Sequence, residues 1–183
     1  MKIEQTPLQD CYVVHDTVIT DSRGYFFESF NAKKFFELTG LELLFVQDNQ
    51  SSSTYGVLRG LHFQTGEYAQ AKLVRVLDGS VLDVAVDLRR SSPTFAKSFV
   101  LELSADNHKQ LFIPRGFAHG FVVTSSKAVF FYKCDSYYNK ASELGIMYDD
   151  PDLKIDWQLP ANDLILSEKD KKNPYLADIL HLL

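Results

Sequence analysis

Lys72-Leu73-Val74-Arg75-Val76-Leu77-Asp78-Gly79-Ser80-Val81-Leu82-Asp83-Val84-Ala85-Val86-Asp87-Leu88 holds two runs rich in Val and Leu. The runs, Lys72–Leu77 and Ser80–Leu88, are β-like, and Asp78-Gly79 between them is a turn signal. In a strand, alternate residues share one face. Lys72 then shares a face with Val74 and Val76, and Asp83 shares one with Val81, Ala85 and Asp87. Charged groups in such company either line a protected site or mark a solvent face. Asp87, on the same face as Asp83, keeps the solvent reading open for its strand.

The same pattern extends in both directions. Short β-like runs occupy 11–14, 17–20, 25–30, 44–51, 97–103, 110–113, 119–124 and 128–135, with turn signals at Ser22-Arg23-Gly24, Ser92-Pro93 and Pro114-Arg115-Gly116. Many short strands at this spacing predict an all-β sandwich, jelly roll or barrel. Helices are few. Asn31 is placed to cap a helix over 32–39 that Gly40 stops, and a second short helix is expected near Ser167. The 183 residues suit one domain, 1–183, with a full core. Apolar residues make up 45% and charged residues 23%, the profile of a soluble globular protein, and 14 Phe with 9 Tyr suit a β interior. No apolar run is long enough to span a bilayer, and the N-terminus lacks a signal-peptide core, so no membrane partner and a cytoplasmic location are expected. Cys11 and Cys134 form neither a CxxC pair nor a disulfide framework and read as small buried hydrophobes. A net charge of -5 argues against general nucleic-acid binding. It leaves room for an anionic small molecule held by a few inward-facing Arg and Lys.

His62 lies in the apolar segment Val57-Leu58-Arg59-Gly60-Leu61-His62-Phe63-Gln64. An imidazole there is either a satisfied core group or a base in a pocket. Its ordinary pKa near 6.5 suits proton transfer around neutrality. Lys72, Asp83, His119, Tyr132 and Asp170 also lie in or beside apolar stretches. Together they can abstract a proton next to a ketone. His62 would be the base and Asp170 the carboxylate orienting its ring. Lys72 would stabilise the enolate, and Tyr132 would return a proton from the opposite side. Tyr132 shares a strand face with Phe130 and Cys134. In a regular strand Arg59 and His62 face opposite ways, and a bulge at Gly60 would turn both toward one pocket. Structural roles remain the alternative for each residue taken singly.

Pro114-Arg115-Gly116-Phe117-Ala118-His119 has the form PxGxxH, like the second motif of cupins. A metal cupin carries HxH in its first motif, where this chain reads His62-Phe63-Gln64. Too few ligands remain for a facial triad or zinc site, so no metal is expected. No phosphate-cradling loop, GxGxxG or GxSxG is present.

Nearly the whole chain resembles the dTDP-4-dehydrorhamnose 3,5-epimerases, deoxysugar-nucleotide epimerases of cupin fold. The resemblance rests on Asp21-Ser22-Arg23-Gly24-Tyr25-Phe26-Phe27-Glu28, Gln47-Asp48-Asn49-Gln50-Ser51 and Leu58–Gln64. It continues through Lys72–Val76, Asp83–Asp87, Ile113–Phe121, Tyr132-Lys133-Cys134, Glu143–Ile146 and Leu166–Asp170, all in family order. It implies a cupin-type jelly roll, a double-stranded β-helix, with a few short peripheral helices. It implies conversion of dTDP-4-dehydro-6-deoxy-glucose to dTDP-4-dehydro-L-rhamnose by epimerisation at C3 and C5, without a cofactor. By the same resemblance His62 is proton acceptor, Asp170 its partner, Tyr132 proton donor and Lys72 the enolate support. Substrate contacts would come from Arg23, Phe26, Glu28, Gln47, Asn49, Arg59, Asp83, His119, Tyr138, Glu143 and Lys169. Phe26 and Tyr138 would stack on thymine, and Arg23 and Arg59 would meet the diphosphate. The family usually forms homodimers that exchange N-terminal strands, which would send Arg23, Phe26 and Glu28 to the neighbouring subunit's site. The chain departs from the pattern at Trp157-Gln158, where Trp-Pro is common, and in its tail 175–183, which would cover an interface or cap the core. Competing readings are an epimerase acting at C3 or C5 alone, a 3,4-ketoisomerase, a metal-dependent cupin and a non-catalytic nucleotide-sugar binding module.

Overall fold

The computed structural model describes residues 1–183. Its strands are β1 (Lys2–Gln5), β2 (Tyr12–His15), β3 (Ile19–Asp21), β4 (Gly24–Phe26), β5 (Gln47–Thr54), β6 (Leu58–Gln64) and β7 (Lys72–Asp78), followed by β8 (Ser80–Asp87), β9 (Ser98–Ser104), β10 (Lys109–Ile113), β11 (Phe117–Val123), β12 (Lys127–Cys134) and β13 (Glu143–Gly145). Helix α1 (Ala32–Thr39) follows β4, and the single turn α2 (Leu176–Ile179) lies near the C-terminus. One sheet has the order β1-β2-β10-β7-β12-β5 and the other β13-β6-β11-β8-β9, while β3 and β4 form a hairpin of their own. Non-consecutive neighbours within both sheets are the mark of a jelly roll.

The Asp78-Gly79 link does not close a hairpin. It carries the chain from β7 in the six-stranded sheet to β8 in the five-stranded one. Gly79 has φ +76°, and a Cβ there would lie 2.0 Å from the Lys127 carbonyl oxygen, so only glycine fits this crossing.

The two sheets bury their facing sides against each other. Val74, Val76, Leu111 and Phe130 on one side meet Val81, Ala85, Leu103 and Phe121 on the other. Phe121 and Phe130 stack across the sandwich with centroids 4.1 Å apart. Asp83 and Asp87 are buried in the same layer, which overturns the solvent reading of their face. The outer face of the five-stranded sheet is covered by Leu153, Trp157, Leu176 and Ile179, so the tail caps the core of this chain. Phe35 of α1 packs on Val14, Leu73 and Phe112 over the outer face of the other sheet.

Helix α1 begins and ends as its sequence predicts. The Asn31 side chain accepts from the Lys34 backbone N–H at 3.1 Å. Gly40, with φ +73°, donates its N–H to the Phe36 carbonyl. Near Ser167 the expected helix is only a 3-10 turn, Asp170–Lys172. The run 25–30 pairs only as far as Phe26, because the chain then turns away and the Ser29 carbonyl accepts from the Gln110 side chain. Cys11 and Cys134 are buried free thiols. No helix is long and apolar enough to cross a membrane.

Candidate active site

A cavity of about 590 Å³ is walled by strands from both sheets. On one wall, β6 carries the bulge that Gly60 suggests. His62 pairs with His119 and Arg59 with Phe121, so three steps along β6 oppose two along β11. The extra residue turns Arg59 and His62 to the same side, and both line the cavity. Gly60 permits this with φ +127° and lies so close to β11 that a Cβ would sit 2.5 Å from the Gly120 Cα.

His62 Nε2 lies 2.5 Å from Asp170 Oδ1. The Ser167 hydroxyl accepts from the Asp170 backbone N–H at 3.1 Å, fixing the turn that delivers the carboxylate. Burial works against ionisation of Asp170. The hydrogen bond and charge of His62 outweigh it, and with Ser167 and Lys169 hold the carboxyl below its ordinary range. With Nε2–H donated to this carboxylate, Nδ1 of His62 keeps a free lone pair.

The opposite wall comes from β7 and β12. Lys72 Nζ lies 5.9 Å from the centre of the Tyr132 ring and has no carboxylate within ion-pair distance. Burial pulls its ammonium below the ordinary lysine value, while the charges of Cys134, Asp83 and Glu143 push back. Burial, with Cys134, raises the Tyr132 phenol above the ordinary tyrosine value against the opposing charge of Arg59. Tyr132 is therefore held in its protonated, donor form through the neutral range.

His119 Nε2 lies 2.9 Å from Asp83 Oδ2. His119 lines the cavity but Asp83 does not. Asp83 is fully buried behind the ring, outside the cavity lining where a substrate contact is expected. Its reach to the cavity runs through the imidazole it orients. At the mouth, Tyr138 donates its hydroxyl to Glu143 at 3.1 Å, and Lys169 forms an ion pair with the same carboxylate. Burial opposes ionisation of Glu143, but Lys169 outweighs it and holds the acid below its ordinary range. Arg59 is steadied by donating from Nε to the Ser53 hydroxyl at 3.1 Å. No three His, Cys, Asp or Glu side chains converge with metal-binding spacing.

A family model described as dTDP-4-dehydrorhamnose 3,5-epimerase matches residues 5–178. The chain belongs to this epimerase family. A dTDP-4-dehydrorhamnose 3,5-epimerase of Shigella flexneri is 51% identical over 97% of both chains. The crystal structure of the enzyme of that name from Elizabethkingia anophelis superimposes with a TM-score of 0.95, at 60% identity and 97% coverage of both chains. That of a dTDP-6-deoxy-D-glucose-3,5-epimerase from Legionella pneumophila, in complex with dTDP-4-keto-L-rhamnose, gives a TM-score of 0.95 at 48% identity, covering 100% of this chain and 96% of the other. The 3,5-epimerase likeness thus spans the cavity walls and the tail that caps the core.

Asn49, Arg59, His62, Lys72, His119, Tyr132, Tyr138, Glu143, Lys169 and Asp170 all line this epimerase-family cavity. Gln47 stands behind the wall, donating to Asn49 at 3.0 Å and accepting from the Tyr138 backbone N–H at 3.1 Å. Arg23, Phe26 and Glu28 are elsewhere. Arg23 pairs with Asp21 at 2.5 Å, Glu28 with Lys34 at 2.8 Å, and Phe26 is 70% exposed on the β3–β4 hairpin. Gln64, Gln70, Ser51 and Ser167 line the cavity without having been singled out. Gln64 was legible by parity alone, since it follows His62 by two positions on one strand.

Proposed function

We propose that the cavity epimerises dTDP-4-dehydro-6-deoxy-glucose at C3 and C5, giving dTDP-4-dehydro-L-rhamnose for rhamnose biosynthesis. One observation carries the reading. His62 and Tyr132 face one cavity from different sheets, the arrangement needed for a base and an acid on opposite sides of a carbon. Nδ1 of His62 takes the proton from the carbon beside the C4 ketone. The C–H electron pair moves into the carbonyl, and negative charge grows on its oxygen. The Lys72 ammonium stabilises that charge electrostatically. The Tyr132 O–H then protonates the same carbon from the far side, and the proton held by His62 returns to the tyrosine through solvent. One such cycle serves each carbon, and the scheme uses only side chains of this protein. His119 supports the sugar from beside His62, and Arg59 meets the diphosphate.

A homodimer with exchanged N-terminal strands completes the reading. The hairpin supports it, because Ile19, Tyr25 and Phe26 are exposed on an element that joins neither large sheet. Arg23, Phe26 and Glu28 then serve the neighbouring subunit's cavity. Reaction in the cytoplasm belongs to the same reading.

Proton NMR of dTDP-4-dehydro-6-deoxy-glucose with the protein in D₂O tests it. Deuterium is expected at both C3 and C5, with rhamno-configured product after reduction. Exchange at one carbon alone would make the protein a single-site epimerase. Bound ligand without exchange would make it a binding module.

A further inference from the structure

We propose that Gln64 is a positioning residue that clamps the loop presenting Tyr138, and so sets the nucleotide-binding end of the cavity. The proposal rests on the reading of the cavity given under Proposed function, with the thymine stacked on Tyr138 as the family resemblance implies. Gln64 closes β6, two residues beyond His62, and is only 7% exposed. Both ends of its amide are used. Oε1 accepts from the Asn139 backbone N–H at 2.6 Å, and Nε2 donates to the Tyr68 carbonyl at 3.2 Å. Gln47, from β5 of the other sheet, accepts from the adjacent Tyr138 N–H at 3.1 Å. Two successive backbone donors are thus held by two glutamines reaching out from opposite sheets.

The loop needs such a clamp. Asp135 still donates its N–H to the Ala71 carbonyl, but residues 136–139 belong to no strand or helix, so no ladder satisfies their amides. The Tyr138 ring is 52% exposed, and apolar packing contributes little to its placement. Its remaining restraint is the hydroxyl bond to Glu143. Asn139 extends the clamp by capping the next turn, its side chain accepting from the Ala141 and Ser142 N–H groups. The Ser142 carbonyl then accepts from Thr65, the residue directly after Gln64. The circuit closes on β6 itself, so a change at Gln64 is felt at an aromatic face suited to stacking on a nucleobase.

The position has a second meaning. In the HxH of a metal cupin a ligand histidine stands where this chain has Gln64. Here the amide fixes a loop, and a position that serves metal binding elsewhere serves nucleotide recognition.

The test is binding of dTDP alone, by calorimetry, together with steady-state kinetics on the dTDP-linked sugar. Gln64→Met keeps length and removes both polar ends. Loss of a loop-fixing hydrogen bond predicts that the dTDP Kd and the KM rise about tenfold. Because the chemistry lies at the other end of the substrate, kcat is expected to stay within about twofold. Tyr138→Ala should weaken dTDP to a similar degree, and the double variant should bind no more weakly than Tyr138→Ala. A Gln64→Met protein that binds dTDP like the wild type overturns the proposal, as do additive effects in the double variant. Normal dTDP affinity in Tyr138→Ala overturns it too. Failure of the epimerase reading shows differently: wild-type protein would bind dTDP yet exchange no deuterium into the sugar. If Gln64→Met does not fold, Gln47→Met applies the same measurement to the neighbouring amide.

Discussion

Asp170 accepts from His62 at 2.5 Å and keeps its charge despite burial. Replacing it by Asn removes the charge that stabilises the imidazolium and leaves the ring tautomer unspecified. Asp170→Asn is expected to lower kcat by about 10²–10⁴-fold with little change in KM, read from the rate of deuterium entry at C3 and C5. Lys72 yields a prediction about pH. Burial lowers its pKa from the ordinary 10.5, so its charge is lost earlier than in a free lysine as pH rises. The alkaline limb of kcat should therefore move upward in Lys72→Arg, whose guanidinium stays charged. A limb that does not move assigns it to the Tyr132 phenol instead. Parity alone placed Lys72 and Tyr132 with apolar neighbours in the sequence, and both face the cavity. Parity shows which residues share a face but not where the face points, and so the burial of Asp83 was not legible. That Asp83 stands behind His119, and not in the cavity wall, depends on β8 pairing with β11, a contact 36 residues apart in the chain.

Runs with alternating Val, Leu and Phe announced β7, β8, β11 and β12 to within two residues. Strands without such runs were placed less closely or not at all. β5 is Gln-Asp-Asn-Gln-Ser-Ser-Ser-Thr and forms because β12 lies beside it in register. The expected start at Leu44 is three residues early, since Phe45 packs under α1 and does not enter the ladder. β1 and β13 are short edge strands whose existence follows from their partners. The bulge in β6 was legible because a glycine interrupted the strand between two polar candidates. Its importance can be measured. In Gly60→Ala the new Cβ meets the His119 carbonyl oxygen at 2.8 Å as well as the Gly120 Cα, with φ unfavourable for alanine. The variant is expected to lose about 1–3 kcal/mol in a denaturant titration. It should also lose most of its turnover, because His62 and Arg59 leave their common wall.

The domain as a whole has an acid-sensitive fastening away from the cavity. Asp87 is buried and accepts from Arg89 Nε at 3.0 Å, Ser92 Oγ at 2.6 Å and Thr94 Oγ1 at 2.7 Å. Burial works against its charge, and these donors outweigh burial to hold its pKa below the ordinary 3.8. A carboxyl depressed on folding stabilises the fold above its unfolded pKa, and that contribution fades as pH falls through the lower folded value. The Tm should thus drop more steeply below pH ~4 in the wild type than in Asp87→Asn, whose Tm is lower at neutrality. The jelly-roll class was legible from the number and spacing of strands, whereas the crossing at Asp78-Gly79 was not, because the same dipeptide serves hairpins. The stacked pair Phe121 and Phe130 joins the two sheets and also lines the cavity. These rings act as a gauge block between the wall that bears His62 and the wall that bears Tyr132. The width of the reaction chamber is a dimension of the hydrophobic core, and whatever swells or thins that core retunes the distance a proton must bridge.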